Sequence, residues 1–221
     1  MRAAPAHSRG AGPSHAPRLV IYGRDGILNA YREDHVKSPQ EWLPIPGALE
    51  ALARLNHAGW HAVVATNQAG IGRGLIDMAS LNAVHAHMYR KVAEQGGRID
   101  AVFFCPHAPE EDCECRKPLP GMMRDIGRRY GIDLAGVPMV CDTLRDLQAA
   151  QAAGCRPHLV LSGRAARMTE DVLRHCLATV PATMVHESLQ AFADHLLREN
   201  HAVDSVAGNL SWRRTRRAVR S

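Results

Sequence analysis

The chain reads as an α/β protein, a Rossmann-like, mostly parallel sheet with helices on both faces, and three observations predict this. Short apolar runs alternate with stretches of helical length and helical spacing along most of the 221 residues, which is the pattern of βαβ units. The runs, such as Leu19–Tyr22 and His61–Ala65, are nearly continuous in apolar residues, as strands covered on both faces are. Several end abruptly in polar, turn-forming residues: Gly23-Arg24-Asp25-Gly26, Thr66-Asn67-Gln68 and Asp142-Thr143. Ligands of open α/β sheets bind just beyond such carboxyl ends.

The elements follow in order. Residues 1–17 are rich in Ala, Pro, Gly, Ser and His without periodicity, so a disordered N-terminal extension is expected. Leu19–Tyr22 is the first strand. The polar connection 29–46, with Asp34, Lys37, Ser38 and Trp42, is too long for a simple turn and is expected to cover the site. Pro46-Gly47 open a helix to about His57, with Leu49, Leu52 and Leu55 on one face and Gly59 ending it. His61–Ala65 is the second strand, and 78–95 a helix with Leu81, Val84, His85 and Met88 at helical spacing. His85 and His87 are expected on that helix's surface rather than as ligands. Ala101–Phe104 is a third strand and 105–117 a Cys-rich loop. Pro120-Gly121 begin a helix ending near Tyr130-Gly131. Pro138–Cys141 is a fourth strand, Asp142–Ala153 a helix, and Pro157–Leu161 a fifth strand. A short strand near Thr183–Val185 and a helix from Ser188 to Arg198 close a single domain over 18–200, followed by a basic tail, 201–221.

The formal charge of +5 is misleading as a sign of nucleic-acid binding. Five arginines without an acid lie in 211–221 and two in 1–17, so 18–210 carries −2. The folded part is near neutral, and nucleic acid is not the expected partner. No apolar run approaches the roughly 18 residues of a membrane span, and the N-terminus lacks the apolar core of a signal peptide. A cytoplasmic monomer without membrane contact is expected. Six cysteines in such a compartment point to metal or reduced thiols rather than disulfides.

Cys105-x-His107 followed by Cys113-x-Cys115 offers three thiolates and an imidazole within one loop, the closed tetrahedral set of structural Zn²⁺. Four filled positions leave none for a reacting water. Thr66, with backbone N–H groups at a strand end, can hold phosphate oxygens. Lys117 supplies a point charge for a phosphoryl group and Arg116 a planar fork. Asp142 at a strand end suits a hard cation such as Mg²⁺, with Asp146 behind it or capping the next helix. Taken singly, these are also a plain Asp-Gly turn, a Thr-Asn turn and a solvated basic pair. Gly70-x-Gly72-x-Gly74 fails as a dinucleotide fingerprint because Leu75 occupies the third glycine's place.

Together, in order, these strand-end groups resemble the motifs of the haloacid dehalogenase superfamily of phosphatases. With the zinc loop, Ala65-Thr66-Asn67-Gln68, Phe104-Cys105-Pro106-His107 and Arg116-Lys117-Pro118, the chain is similar over 18–163 to the bacterial D-glycero-D-manno-heptose 1,7-bisphosphate phosphatases. Related histidinol-phosphate phosphatases share the scaffold. The resemblance implies a largely capless domain, Mg²⁺, structural Zn²⁺, and removal of a phosphate from a small phosphorylated sugar in lipopolysaccharide precursor synthesis.

By position, the resemblance makes Asp25 the general acid/base and the donor of a backbone carbonyl to Mg²⁺, with Asp142 the carboxylate ligand. Thr66 and Lys117 become phosphoryl clamps, and Arg116 a substrate contact. Arg24, Asn29, Asn67 and Thr143 become further substrate or phosphate contacts. Two positions depart from the pattern. Cys141 replaces a glycine, and Gly23 stands where the attacking Asp belongs. Gly23 can neither attack phosphorus nor ligate a metal. The expectation is a phosphatase of this family with impaired turnover. The alternatives are a non-catalytic sugar-phosphate-binding protein and a zinc-stabilised interaction module working through its basic tail.

Overall fold

The computed structural model describes residues 17–200. The expected basic tail, and the N-terminal extension apart from Pro17, lie outside the described residues. Six strands form one all-parallel sheet: β1 (Leu19–Tyr22), β2 (His61–Asn67), β3 (Ala101–Cys105), β4 (Pro138–Cys141), β5 (Arg156–Val160) and β6 (Met184–His186). Their spatial order is β3-β2-β1-β4-β5-β6, so the chain winds outward from β1 in both directions. The winding direction reverses between β1 and β4, where open α/β sheets form a binding crevice.

Alternate side chains of each strand enter two cores. Val20, Tyr22, Val64 and Val140 face α1 (Ala48–His57), α3 (Met78–Glu94) and a last helix, α7, over 189–200. Leu19, Ile21, Val63, Ala65, Met139 and Cys141 face α4 (Gly121–Tyr130) and α5 (Leu144–Ala152). Leu52 and Leu55 of α1 are fully buried, so truncating either to Ala is expected to destabilise by about 2–5 kcal/mol. Among the described residues no helix is long and apolar enough to cross a membrane.

Strand and helix ends differ from the sequence pattern by a residue or two because pairing, not hydrophobicity, sets them. β2 and β3 continue to Asn67 and Cys105 since those two residues pair. α5 begins at Leu144 rather than Asp142 because Thr143 caps it: the Thr143 hydroxyl accepts from Asp146 N–H at 3.3 Å and donates to Asp146 Oδ2 at 2.6 Å. The hydroxyl thus satisfies one of the helix's free N–H groups, as an N-cap does. α6 (Glu170–Thr179) lies where the sequence pattern predicts no element. Cys176 is its one buried residue, so it lacks the apolar stripe that marks the other helices. The cap at Thr169, with Glu170 and Asp171 in the first turn, was its available signal.

One reading of α3 needs correction. His85 is not on the helix surface; it is buried, on the same stripe as Leu81, Val84 and Met88. Trp42 and Val36 of the 29–46 connection are buried as well, anchoring that loop to the first core. The short helix α2 (Ala69–Gly72) packs against the Cys-rich loop. Gly72 N–H donates to Pro106 O at 2.8 Å, and a Cβ there would stand 2.7 Å from Ala108 N, a use of the glycine run that has nothing to do with nucleotides.

β5 and β6 are joined by a buried histidine pair. His158 Nδ1 lies 2.9 Å from His186 Nε2, the rings stack at 5.1 Å, and Phe192 and His195 of α7 close over them. Burial, then the nearby Arg156, lowers His158 to about 3; burial, then His195 and Arg156, lowers His186 to about 4, with Glu199 opposing. Both are neutral in the fold at pH 7. Below about pH 6.5 the unfolded chain takes up protons that the folded chain refuses, so stability falls with pH down to about 4. The melting temperature is expected to drop between pH 7 and pH 5, with up to about 1.4 kcal/mol lost per pH unit per histidine. His158→Gln should flatten that slope in melts recorded across the same range.

Candidate active site

The carboxyl ends of β1, β2 and β4 meet the Cys-rich loop around one hollow. Gly23, Asp25, Thr66, Arg116, Lys117, Asp142, Thr143 and Arg164 are among its lining residues, and Tyr31, Arg32, Glu33, His35 and Val36 of the 29–46 connection form one wall. The connection therefore covers the site, as its length suggested.

β1 delivers its groups through a tight turn in which Ile27, Leu28 and Asn29 N–H all point to Arg24 O. Gly26 adopts φ 85°, and a Cβ there would collide with the Asp142 carboxylate. A residue with a side chain would thus be strained in backbone and would push Asp142 out of place. Asp25 Oδ1 accepts from Asn29 Nδ2 at 2.9 Å and from Arg24 Nη2 at 3.0 Å; Oδ2 accepts from Arg24 Nη2 at 3.0 Å and Gln68 Nε2 at 3.1 Å. Burial pushes the Asp25 carboxyl up, but the Arg24 charge and the bonds from Asn29, Arg24 and Gln68 outweigh it and hold the group below its usual range. Asp25 rests as a carboxylate.

Several expected contacts with substrate have another use. Arg24 is 1% exposed. Its guanidinium is committed to Asp25, to Gln68 Oε1 at 3.3 Å and to His85 Nε2 at 3.2 Å. Asn29 is fully buried and bonds Asp25 and Ala30 O. Asn67 turns its amide onto the Lys117 backbone, donating to Lys117 O at 3.0 Å and accepting from Lys117 N–H at 3.1 Å. Thr143 caps α5. Asn29 stands behind the hollow, whereas Arg24, Asn67 and Thr143 line it while making these bonds.

The facing groups are well held. Thr66 Oγ1 accepts from Gln68 Nε2 at 2.9 Å, leaving its own O–H to donate. Lys117 Nζ lies 2.6 Å from Asp146 Oδ1 and donates to Ala65 O at 2.8 Å, leaving one N–H. Arg116 bonds His107 O at 3.3 Å. Asp142 is 1% exposed and is gripped by Arg164, whose Nη2 reaches Oδ1 at 2.9 Å and whose Nε reaches Oδ2 at 3.1 Å. Burial, then the charge of Asp146, raises Asp142 against the pull of Arg164, whereas Lys117 overcomes burial and holds Asp146 low. Gln68, His85, Tyr31 and Arg164 are the site residues that sequence reasoning missed. Gln68 adjoins Thr66-Asn67 and was within reach; Arg164 lies past β5 in a stretch without a motif.

At Gly23 the backbone does not occupy the left-handed region, and a Cβ would lie 3.1 Å from Ile27 Cγ1 and 3.6 Å from Val140 O. A Cβ fits there once Ile27 yields a few tenths of an ångström.

The Cys-rich loop brings Cys105, His107, Cys113 and Cys115 together, with all four ligand atoms within 4.8 Å of one another. Cys105 Sγ is 3.8 Å from Cys113 Sγ and 3.5 Å from His107 Nδ1, which is 3.2 Å from Cys115 Sγ. Ligands about 2.3 Å from a tetrahedral centre stand about 3.8 Å apart. The donor set and spacing fit such an ion.

A strand-end carboxylate, hydroxyl, lysine and second carboxylate at the winding reversal of a parallel sheet define a hydrolase of the haloacid dehalogenase-like class. The HAD-hydrolase-like family model matches residues 114–192. The D-glycero-beta-D-manno-heptose-1,7-bisphosphate 7-phosphatase of Bordetella bronchiseptica is 52% identical over 183 residues, covering 82% of this chain and 99% of that one. Its Pseudomonas aeruginosa counterpart is 46% identical over 180 residues, covering 81% and 98%. A crystal structure of the D,D-heptose 1,7-bisphosphate phosphatase from B. bronchiseptica, complexed with magnesium and phosphate, superposes with a TM-score of 0.76 at 53% identity, covering 82% of this chain and 99% of that one. The chain belongs to the family of D-glycero-beta-D-manno-heptose-1,7-bisphosphate 7-phosphatases, which are phosphomonoesterases.

Asn67→Ala removes both side-chain bonds to the Lys117 backbone. A loss of about 1–3 kcal/mol is expected, measured by denaturant unfolding, together with weaker phosphate binding, since Lys117 is then free to drift.

Proposed function

We propose that the hollow binds a small sugar bisphosphate of the heptose 1,7-bisphosphate type, and that Gly23 leaves this chain a slow phosphatase. The observation that carries the reading is the convergence of Asp25, Thr66, Lys117 and Asp142 on one hollow around Gly23. Thr66 O–H and the remaining Lys117 N–H donate to phosphoryl oxygens, and Arg116 contacts the substrate further out. Asp25 stands at the position that in the family's reaction protonates the leaving oxygen and then activates water; held here as a carboxylate by Arg24, Asn29 and Gln68, it must first gain a proton to act as the acid.

The Asp142 carboxylate and the Asp25 backbone carbonyl are the oxygen donors that would hold Mg²⁺. They are oxygen donors of the kind a hard cation takes, but Gly23 withholds a second carboxylate and Arg164 already holds both Asp142 oxygens. Mg²⁺, when bound, supplies positive charge beside the phosphoryl oxygens. Cys105, His107, Cys113 and Cys115 hold structural Zn²⁺ and rigidify 105–117, which has little core of its own.

What Gly23 removes is the oxygen that attacks phosphorus. Loss of a nucleophile from a catalytic unit costs about 10⁶-fold in rate, or about 8 kcal/mol. Asp25 does not replace it, because its carboxylate is turned into the Arg24, Asn29 and Gln68 bonds. A purely binding role is the second reading, favoured by this same glycine.

Phosphate release from D-glycero-D-manno-heptose 1,7-bisphosphate with Mg²⁺ is expected to be near background for this chain and to rise by several orders of magnitude in Gly23→Asp. Turnover at ordinary enzyme rates without the substitution would overturn the proposal. Calorimetric titration with the same sugar should show binding in either form; none would remove the hollow as the site. Treatment with a strong chelator should release metal from the Cys-His cluster and open 105–117 to protease, and unchanged cleavage would count against the zinc assignment.

A further inference from the structure

We propose that Arg164 is the resident cation of the phosphoryl site, neutralising Asp142 so that the hollow accepts a phosphate anion without a divalent metal. This rests on reading the hollow as a phosphate site.

The contact is a built one. The guanidinium meets both Asp142 oxygens in a fork, Nη2 to Oδ1 at 2.9 Å and Nε to Oδ2 at 3.1 Å, and Arg164 N–H adds a third bond to Oδ2 at 3.2 Å. Bidentate, charge-assisted bonds of this kind are the strong ones. The turn that carries Arg164 is pinned against the β1 turn. Ser162 Oγ donates to Gly26 O at 2.7 Å. Gly163 has φ 54°, and any Cβ on it would strike Gly26 and Asp142. From the other side the Tyr31 ring lies 4.4 Å from the guanidinium carbon, a cation–π contact that ties Arg164 to the covering connection.

Charge matching supports the same conclusion. Each of the three aspartates of the site has its own cation: Asp25 has Arg24, Asp146 has Lys117, and Asp142 has Arg164. Arg116 and Arg145 also line the hollow without a carboxylate partner, against the exposed Glu33. An Asp at position 23 would add a carboxylate beside Asp142, and the two together would offer a divalent ion a pair of charged ligands. With Gly23 that pair is lacking. A metal would have to take Asp142 from a buried, bidentate ion pair, with one carboxylate and one carbonyl to offer in return.

The test is calorimetric titration of the full chain with inorganic phosphate. Buffer is passed over chelating resin before protein is added, so that the Cys-His cluster is not challenged, and the titration is repeated with millimolar Mg²⁺. Binding without Mg²⁺ is expected, with affinity changed by less than about threefold when Mg²⁺ is added. In Arg164→Gln, metal-free binding should weaken by about tenfold or more, as loss of a charge-assisted partner predicts, and Mg²⁺ should restore it; Arg164→Lys should lie between. Mn²⁺ binding, followed by electron paramagnetic resonance, should be tighter in Arg164→Gln than in the unaltered chain. Phosphate binding by the unaltered chain only when Mg²⁺ is present would overturn the inference while leaving the phosphate site intact. No binding in either buffer would overturn that site and the inference with it. The comparison of the two buffers stands on the unaltered chain alone, whether or not the variants fold.

Discussion

A carboxylate taken out of water must find a cation or give up its charge, and three of them sit side by side at the carboxyl edge of this sheet. Asp25, Asp142 and Asp146 are each met by one side chain, Arg24, Arg164 and Lys117. The partners come from three different parts of the chain: the β1 turn, the turn after β5 and the Cys-rich loop. The ion pairs therefore do more than neutralise charge. Two of them, Asp142–Arg164 and Asp146–Lys117, also join segments far apart in sequence at one hollow, whereas Arg24 and Asp25 are neighbours within the β1 turn. Removing one member of such a pair leaves the other buried and unpaired, which is why buried pairs are strongly coupled to local structure.

The same requirement explains how the supporting residues are used. Gln68 bridges Asp25, Thr66 and Arg24, so a single amide joins the β1 and β2 ends. Asn67 holds the backbone of Lys117, and Lys117 bonds Ala65 O, so the Cys-rich loop is sewn to the end of β2 from both sides. The Cys-His cluster lies just upstream and shapes the same loop. Gly26 and Gly163 allow the β1 and β5 turns to touch Asp142 directly. Gly23 lies among these groups, and a Cβ there would meet Ile27 Cγ1 at 3.1 Å.

The family assignment and the geometry address different questions. Identity of about half over most of both chains carries the fold and the phosphatase family. It does not set the fate of one position in the reaction. That depends on whether an oxygen stands in line with the phosphorus, and a glycine has none to offer.

The departure at Gly23 showed only against the family's motif, whereas the parallel sheet, the order of its strands, the groups Asp25, Thr66, Lys117 and Asp142 and the four residues of the Cys-His cluster were legible from the sequence alone. Each is a local signal: apolar runs, strand ends and short spacings. What tertiary structure decided was which polar groups face the hollow and which are consumed in holding it. Arg24, Asn29 and Asn67 turned inward to satisfy buried partners, and His85 joined them from a helix whose surface it was expected to occupy. Arg164 and Tyr31 arrived from segments with no motif. Side-chain pairing between distant loops depends on through-space distance, which no spacing along the chain encodes, so these roles appear only once the strands are laid side by side.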